Sequence, residues 1–208
     1  NGKHTYEIRK ADHNGWGDVM AACFEGRVMI SHDNGNTFEV KELPYGDMNF
    51  EYVEYLNRDT IILAGGNYSD NKGILLFSPD GGENWEKLLE LTTDPIRYAD
   101  VHEDGAVLAA GKKSIYYSDH FAGSYREISN MDYSGYQMVD RVKFVNDSSW
   151  LVTSSGERTL VERTSDSGKT YTMVYSNDPY KSGIQSVQFL DDTTGFICGD
   201  FYQVLKTT

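Results

Sequence analysis

Asp and Glu are the residues of this sequence whose number and placement could support catalysis. Asp and Glu number 32 among 208 residues, against 19 Lys and Arg, so the formal net charge is -13. Hydrolysis of a glycosidic bond needs two carboxyl groups roughly 5–10 Å apart. Asp100 with Glu54, or Asp100 with Asp18, lies in segments with the composition of neighbouring strands. Because 32 acids produce such pairs by chance, these pairs are only candidates for glycoside hydrolysis.

Other catalytic and metal-binding patterns are absent from the sequence. The five His residues form no pair at metal-ligand spacing, and Cys23 and Cys198 lie near neither a His nor a second Cys. There is no Gly-x-Ser-x-Gly elbow and no phosphate-binding loop. We therefore predict no metal and no cofactor. The two thiols are interpreted as small buried hydrophobes, with a disulfide between them as the alternative.

The acidic balance limits the possible partners. No cluster of Lys and Arg stands out, so nucleic acid and anionic membrane surfaces are not predicted as partners. No apolar run approaches the ~18 residues that cross a bilayer, which argues against membrane insertion. The chain begins at Asn1 without a signal-like segment, a feature that favours a processed chain or a domain excised from a larger protein.

A short motif recurs along the chain. SHDNGNTF at 31–38, SPDGGENW at 78–85 and TSDSGKTY at 164–171 all fit the pattern [ST]-x-D-x-G-x-[TN]-aromatic. SDHFAGSY at 118–125 is a weaker copy in which His120 replaces the Asp. With a fifth start at Thr207, the intervals are 47, 40, 46 and 43 residues. That period is typical of four-stranded propeller blades.

The motif has the chemistry of a turn between two antiparallel strands. An Asp side chain accepts hydrogen bonds from backbone N–H groups two residues on, and Gly supplies the positive φ of the reversal. The aromatic residue that follows is expected to bury its ring between neighbouring sheets. The predicted structural residues of these turns are Asp33, Gly35, Phe38, Asp80, Gly82, Trp85, Asp166, Gly168 and Tyr171.

These turns resemble the Asp-box, or bacterial neuraminidase repeat, of sialidases, xyloglucanases, sortilin-like receptors and photosystem II assembly factor-like proteins. The run VQFLDDTTGFICG at 187–199 is most similar to the assembly-factor variety. The resemblance implies a β-propeller in which the Asp-box is structural and lies away from the ligand face, so its acids are not catalytic. Sialidases also carry an Arg-Ile-Pro context and an arginine cluster. Here that context is missing, and only Arg141 falls at a predicted channel position.

We predict an all-β single domain over 1–208, a β-propeller of four-stranded antiparallel blades, with five blades. The predicted strands are 51–56, 60–64, 73–77, 85–89, 98–102, 106–110, 114–117, 140–145, 150–153, 159–163, 184–190, 195–198 and 203–206. The first blade shows its second and third strands within 19–30. The segment 6–11 is expected to close the last blade. Blade one would then be reduced, or the chain would be part of a larger propeller.

The first strand of each blade of a propeller lines the central axis, so we expect the ligand-binding residues on these strands. Alignment on the valines at 53, 101, 142 and 187 places Tyr52, Asp100, Arg141 and Ser186 at one equivalent position. Tyr52 and Tyr98 are expected to offer stacking faces, while Asp100 and Arg141 bind polar groups of a sugar or peptide. Trp16 is expected to join the mouth from the first blade. The alternative is a water-filled channel whose charges satisfy one another.

Two functions follow from these observations. The first is a non-catalytic recognition module that binds a protein or glycan through the loops at one mouth of the channel, in an extracellular or cell-surface setting. The second is a glycoside hydrolase, sialidase-like or xyloglucanase-like, with Asp100 and Glu54 as its paired carboxylates. The sequence favours the non-catalytic module over the enzyme, but it does not decide between them.

Overall fold

A computed structural model describes residues 7–128, 137–177, 183–200 and 203–206. All regular structure in these ranges is β-strand, arranged as five antiparallel sheets. Sheets 1 and 2 have four strands each: β1 (Ile8–His13), β2 (Val19–Cys23), β3 (Arg27–Ser31) and β4 (Glu39–Glu42) in sheet 1, and β5 (Asn49–Tyr55), β6 (Ile61–Asn67), β7 (Lys72–Ser78) and β8 (Glu86–Leu91) in sheet 2. Sheets 3 and 4 also have four: β9 (Tyr98–Val101), β10 (Val107–Ala110), β11 (Ile115–Ser118) and β12 (Arg126–Glu127) in sheet 3, and β13 (Met138–Asn146), β14 (Ser149–Ser155), β15 (Thr159–Thr164) and β16 (Thr172–Asn177) in sheet 4. Sheet 5 has three described strands: β17 (Ile184–Phe189), β18 (Gly195–Gly199) and β19 (Gln203–Lys206). Within these ranges, no helix has the length and apolar character to cross a membrane.

Each sheet is a simple meander, in which every strand pairs with the strand that precedes it in the chain. The predicted strands coincide with the observed ones to within a few residues. This agreement has a physical cause. Alternation between buried and exposed side chains, as in β13, marks a strand with one face in a core. The all-β prediction is confirmed.

The N-terminal strand belongs to the first sheet. β1 pairs antiparallel with β2, with Ile8 opposite Cys23 and His13 opposite Val19. The expectation that segment 6–11 closes the last blade is therefore wrong for β1, and Tyr6 lies outside the described residues. β2 is buried along most of its length. An unpaired backbone edge there would leave buried N–H and C=O groups unsatisfied, which explains why β1 pairs with it.

Contacts divide the chain into two compact units, residues 1–97 and 98–208. The single-domain organisation stays a prediction. The first unit holds sheets 1 and 2, and its core lies between them, with Met20, Ile30, Phe50 and Leu63 buried in one cluster. The first strands of the two sheets, β1 and β5, contact each other. Side chains of these two strands can therefore contact one another.

The second unit holds sheets 3, 4 and 5. Its larger core joins sheets 3 and 4 around Trp150, whose indole stacks on Tyr117 with ring centroids 5.3 Å apart. A smaller cluster that includes Leu151, Val187 and Ile197 joins sheets 4 and 5. The first strands again contact their neighbours, β9 with β13 and β13 with β17.

The two cysteines differ in their surroundings. Cys23 is buried, as predicted, and its thiol lies 3.6 Å from the carbonyl oxygen of Ala21. Cys198 is exposed. The prediction of a buried thiol is wrong there, because in β18 it is Ile197 that points into the core with sheet 4, and its neighbour Cys198 points to the opposite face. Each cysteine is a free thiol.

Candidate functional site

The three turns that carry an acid share one geometry. In the first turn, Thr37 donates to Asp33 twice, through its backbone N at 2.8 Å and through Oγ1 at 2.6 Å, while Ser31 Oγ donates at 2.8 Å. Asn84 and Ser78 repeat these contacts around Asp80. Thr170 and Thr164 repeat them around Asp166. The main N–H donor lies four residues after the acid, so the predicted spacing of two residues is wrong.

These hydrogen bonds stabilise the ionised carboxylates. They lower the pKa of Asp33 and of Asp166 to about 2, mainly through the hydroxyls of Thr37 and Thr170. The pKa of Asp80 is also lowered, first by the side-chain amide of Asn84. Since the oxygens of each acid accept hydrogen bonds from their own turn, the geometry gives these residues a structural use. That these acids are not catalytic stays a prediction.

The turns also fix one end of their sheets. The backbone N of Asn34 donates to Gly17 O, that of Gly81 to Asp59 O and that of Ser167 to Ser148 O. Each acceptor lies in the loop between the first and second strands of the same sheet. The turns and the loops after the first strands therefore lie at the same end of each sheet, which we call the turn end.

The aromatic rings that close the turns differ in burial. Trp85 and Tyr171 pack against the cores of their units, and Tyr171 Oη accepts a hydrogen bond of 3.1 Å from Trp150 Nε1. Phe38 is 43 % exposed, so the prediction of a buried ring fails there. Trp85 packs on sheet 1, the sheet that precedes its own within the unit. Sheet 1 has no preceding sheet in its unit, which explains the exposure of Phe38.

The weaker copy at 118–125 forms its turn without a carboxylate. Ser118 Oγ donates to the backbone carbonyl of His120 at 2.7 Å, and His120 Nδ1 accepts from the backbone N of Ala122 at 3.2 Å. An imidazole thus replaces part of the acid's role as an acceptor. This turn belongs to sheet 3, whose fourth strand, β12, is only two residues long and is the shortest fourth strand described.

The predicted alignment of the first strands is wrong for sheet 3. Val101 lies opposite Val107, which lies opposite Ser118, the first residue of the turn. The residue in this position is Tyr55 in sheet 2 and Phe144 in sheet 4. Val101 therefore corresponds to those aromatic residues and not to the valines used for the alignment. The true equivalents are Lys10, Tyr52, Tyr98, Arg141 and Ser186 at one level, and Asp12, Glu54, Asp100, Lys143 and Gln188 at the next.

The identity of one residue in β9 is the reason for the shift. Ala99 occupies in β9 the position of Val53, Val142 and Val187, while Val101 occupies that of the aromatic residues. Matching valine to valine therefore moved the alignment of β9 by two residues. The β-bulges that β1, β5, β13 and β17 carry before both levels leave the spacing between the levels unchanged.

The predicted stacking faces of two tyrosines are covered by cations. Lys10 Nζ lies 3.4 Å from the centre of the Tyr52 ring, and Arg141 Cζ lies 5.0 Å from the centre of the Tyr98 ring. Both are cation–π contacts between first strands of adjacent sheets. Tyr52 is also 2 % exposed. The predicted ligand platforms thus already have partners within the protein.

Arg141 is similarly engaged. Its Nε donates to Gln185 O at 3.0 Å and its Nη1 to Asp140 O at 2.7 Å. The bond to Gln185 ties sheet 4 to sheet 5, while the guanidinium lies over Tyr98. Ser186, the equivalent residue of sheet 5, is exposed. Of the predicted channel residues in this unit, only Ser186 therefore presents its side chain fully to solvent.

Asp100 is the most deeply buried of the predicted site residues, at 1 % exposure. Its Oδ1 accepts from Lys143 Nζ at 2.5 Å, and its Oδ2 accepts from the backbone N of Phe144 at 2.7 Å. Asp12 makes the same backbone contact in the first unit, accepting from Tyr55 N at 2.7 Å. An acid at this level thus bridges the first strands of two neighbouring sheets.

Glu54 and Trp16 belong to the first unit. Glu54 Oε2 accepts from Tyr52 Oη at 2.5 Å. Trp16 is 67 % exposed. It lies in the β1–β2 loop, where its backbone N donates to Asn14 Oδ1. The same loop holds Asp18, which His32 Nδ1 contacts at 2.8 Å. A cavity of about 470 Å³ opens beside this loop, lined by Asp12, His13, Asp18 and Asn34 among others.

A second polar cavity lies at the turn end of the second unit. Its volume is about 450 Å³, and sheets 3, 4 and 5 all contribute to it. Its lining side chains with charge or a titratable ring are Asp100, His102, Glu103, Lys143, Asp147 and Asp192. Sequence reasoning placed His102 and Lys143 on first strands but missed Glu103, Asp147 and Asp192. These residues lie in loops, and their position just after a first strand is the signal that identifies them.

His102 lies between two carboxylates beside this cavity. Its Nδ1 is 2.9 Å from Asp104 Oδ1 and its Nε2 is 3.5 Å from Asp147 Oδ1, and its side chain is 14 % exposed. The ring also packs at a tilt on Phe144, with centroids 5.3 Å apart. The contacts of Asp104 with Ala106 N and with His102 lower the pKa of this carboxyl. The arrangement brings one largely buried imidazole together with two exposed acids.

Meandering four-stranded sheets whose first strands adjoin and whose turns carry structural acids define a β-propeller. Known structures agree with this class. YCF48 bound to D1 peptide aligns with a TM-score of 0.51 and 13 % identity, over 98 % of this chain and 94 % of that one. The GH74 xyloglucanase from Xanthomonas campestris aligns with a TM-score of 0.73 and 13 % identity, over 96 % of this chain and 36 % of the enzyme. The WD40 β-propeller domain of Doa1 gives 0.68 and 14 %, over 99 % of this chain and 66 % of that chain.

The predicted resemblance to the propellers of photosystem II assembly factor and xyloglucanase type is confirmed at the level of the fold. Neither protein-family models nor curated protein sequences give a match to the chain. The chain spans about a third of the length of the GH74 enzyme.

Proposed function

We propose that this chain is a non-catalytic recognition module, and that it binds a protein segment with a basic side chain at the turn-end cavity of residues 98–208. The observation that carries the proposal is the charge of this cavity. Asp100 and Lys143 neutralise each other at its base, 2.5 Å apart. Three further carboxylates, those of Glu103, Asp147 and Asp192, line it. A cavity with excess negative charge attracts Lys or Arg side chains.

The contacts of Asp100 also favour recognition over catalysis. A glycosidase acid must exchange a proton with its substrate, but both oxygens of Asp100 accept hydrogen bonds from sheet 4. Loss of these bonds would leave the ammonium of Lys143 without this anion. The predicted hydrolase therefore has less support than the recognition module, although a GH74 enzyme shares the fold.

The structural neighbours support a protein ligand. YCF48 is a propeller seen with a bound peptide, and it aligns over nearly its whole length. Identity of 13 % limits this comparison to the fold. A glycan ligand and an extracellular location stay predictions. The family resemblance implies a ligand face away from the Asp-box, whereas the cavity proposed here lies at the turn end.

A peptide array tests the proposal. Three sets of 15-residue peptides would be compared on the purified chain, identical except for Lys, norleucine or Glu at the central position. We expect the Lys set to bind best and its binding to weaken as salt rises, because the attraction is between exposed charges. Preference for the Glu or norleucine set would contradict the proposal.

Variants locate the binding. Asp192→Asn and Glu103→Gln remove exposed carboxylates and are expected to weaken binding of a Lys peptide about 2–5-fold each, in line with exposed ion pairs. Asp59→Asn is the matched control, since Asp59 is an exposed acid in the corresponding loop of sheet 2. Equal effects of the three variants would show that net charge, and not this cavity, attracts the peptide.

A further inference from the structure

We propose that His102, Asp104 and Asp147 bind a divalent transition-metal ion, with Zn²⁺ as the preferred ion. This inference concerns residues that sequence spacing did not connect, because Asp147 lies 45 residues after His102. It rests on other observations than the recognition function proposed above, and the two proposals share only Asp147, which lines the cavity with Glu103 and Asp192.

The three side chains have the geometry of a metal site before the ion binds. One ligand atom from each lies within 4.8 Å of the other two. Zn²⁺ binds nitrogen and oxygen ligands at about 2.0–2.2 Å, so ligand atoms around a tetrahedral ion are about 3.4 Å apart. Asp104 lies 2.9 Å from Nδ1 of His102, whereas Asp147 lies 3.5 Å from Nε2. An ion binds one ring nitrogen, so with Nδ1 as the ligand the Asp147 side chain must rotate toward that nitrogen. Asp147 is 81 % exposed and can make this rotation.

A second observation points to a ligand at this position. The Nδ1 atom of His102 is buried, and no hydrogen bond satisfies it even though Asp104 Oδ1 is 2.9 Å away. The carboxylate meets the distance of an ion pair without the alignment of a hydrogen bond. Buried polar nitrogen atoms rarely lack an aligned partner. A metal ion held between the ring and the carboxylates would use the imidazole and neutralise both acids.

The chemistry of the ligands selects the ion. Ca²⁺ and Mg²⁺ take oxygen ligands, so an imidazole in the set disfavours them. Imidazole with carboxylate suits Zn²⁺ and neighbouring ions of the first transition row. Three protein ligands leave one tetrahedral position to water or to a ligand from solution. The cavity beside the cluster gives access to that position.

The first unit supplies an internal control. His32 Nδ1 lies 2.8 Å from Asp18 Oδ1, which is the same kind of His–Asp contact. Among the described residues, no third metal-binding side chain completes that pair. If a His–Asp contact alone were sufficient, both places would bind metal equally.

Isothermal titration with ZnCl₂ tests the site on the whole chain at pH 7.5, beside Co²⁺ absorption as a second readout. We expect one Zn²⁺ per chain and visible d–d bands of Co²⁺ that Zn²⁺ displaces. Because loss of even a supporting partner weakens metal binding about 10–100-fold, His102→Gln and Asp147→Asn should each weaken Zn²⁺ binding by about tenfold or more. His32→Gln and Cys198→Ser should leave it unchanged.

Asp147→Asn keeps the test decisive if His102→Gln does not fold, because Asp147 is exposed and, within the part of the chain that the structure describes, its carboxylate forms an ion pair with His102 alone. Two results would overturn the proposal. One is the absence of stoichiometric Zn²⁺ binding. The other is a loss of binding in Cys198→Ser or His32→Gln equal to that in Asp147→Asn.

Discussion

Sheets 1 and 3 carry a carboxylate at the same level of the first strand, in two different settings. Asp12 and Asp100 each accept a hydrogen bond of 2.7 Å from the backbone N of the next sheet's first strand. Asp100 is also ion-paired with Lys143 and almost completely buried. Asp12 is only partly buried and borders an open cavity. The shared position thus explains the hydrogen bond between first strands. The residues of the neighbouring strand determine whether the acid also forms an ion pair.

The same contrast recurs elsewhere in the two units. A His–Asp contact exists in both, but only His102 has a second carboxylate nearby. The turn glycines Gly35 and Gly168 both have φ of +79°, but only Gly168 lies against a large buried ring. Repetition therefore conserves backbone geometry, while function and stability depend on the residues that each copy brings to it.

The largest expected effect is that of Asp100→Asn. The amide cannot neutralise Lys143, and a buried pair that loses one partner costs several kcal/mol. Since Lys143 is 24 % exposed and water reaches it, we expect a loss of about 2–4 kcal/mol in the free energy of unfolding. Asp12→Asn should cost about 1 kcal/mol, because one hydrogen bond weakens and no buried ion pair is broken.

Urea unfolding followed by circular dichroism measures both variants. Asp147→Asn, which changes an exposed acid of the same cavity, is the control for net charge. Equal losses for Asp100→Asn and Asp12→Asn would show that the backbone bridge, and not the ion pair, accounts for the stability of this position.

The second effect compares the turn glycines. A Cβ at Gly168 would lie 2.8 Å from Trp150 Cζ2, whereas a Cβ at Gly35 would meet nothing closer than 3.8 Å. Gly35→Ala is expected to cost about 1 kcal/mol, from the left-handed backbone alone. Gly168→Ala adds a clash with a rigid, buried indole and should cost about 2–3 kcal/mol. Thermal melting of both variants checks the difference, and similar melting temperatures would mean that the Trp150 ring moves at little cost.

Much of the fold follows from local features of the sequence. Strands such as β14 and β15 alternate or cluster apolar residues between turn signals, and the acid, glycine and aromatic of each full turn occur at fixed spacing. These patterns act over fewer than ten residues. They require no knowledge of distant contacts, so the predicted strand positions agree with the structure.

The site was harder to predict because it depends on register between strands. Ala99 takes in β9 the position of the valine of β5, so matching the valines hides that Asp100 lies at the level of Glu54. The cations over Tyr52 and Tyr98 come from strands about 40 residues away, so their contacts were also hidden. The contact of Asp147 with His102 can be recognised only when the loops of sheets 3 and 4 are known to lie together.

The smallest expected effect concerns Glu162, which takes the place of an apolar residue. Glu162 lies opposite Val152 in sheet 4, in the position that Leu76 occupies opposite Leu63 in sheet 2. Leu76 is fully buried in the core, while Glu162 is half-buried and burial raises its pKa. The folded pKa thus exceeds the unfolded one, so ionisation of this carboxyl opposes folding.

The sign of the pH dependence follows from this shift. Below the unfolded pKa the carboxyl is protonated in both states and costs nothing, and the penalty develops as the pH rises through the folded pKa. Glu162→Gln should therefore raise the melting temperature at pH 7 by about 1–2 °C and have little effect near pH 3.5. Glu162→Leu should raise it at both pH values, because it also buries apolar area as Leu76 does. Melting curves of both variants at the two pH values separate the charge from the packing, and a Gln variant that is less stable than the parent at pH 7 would show that the carboxylate has a favourable partner.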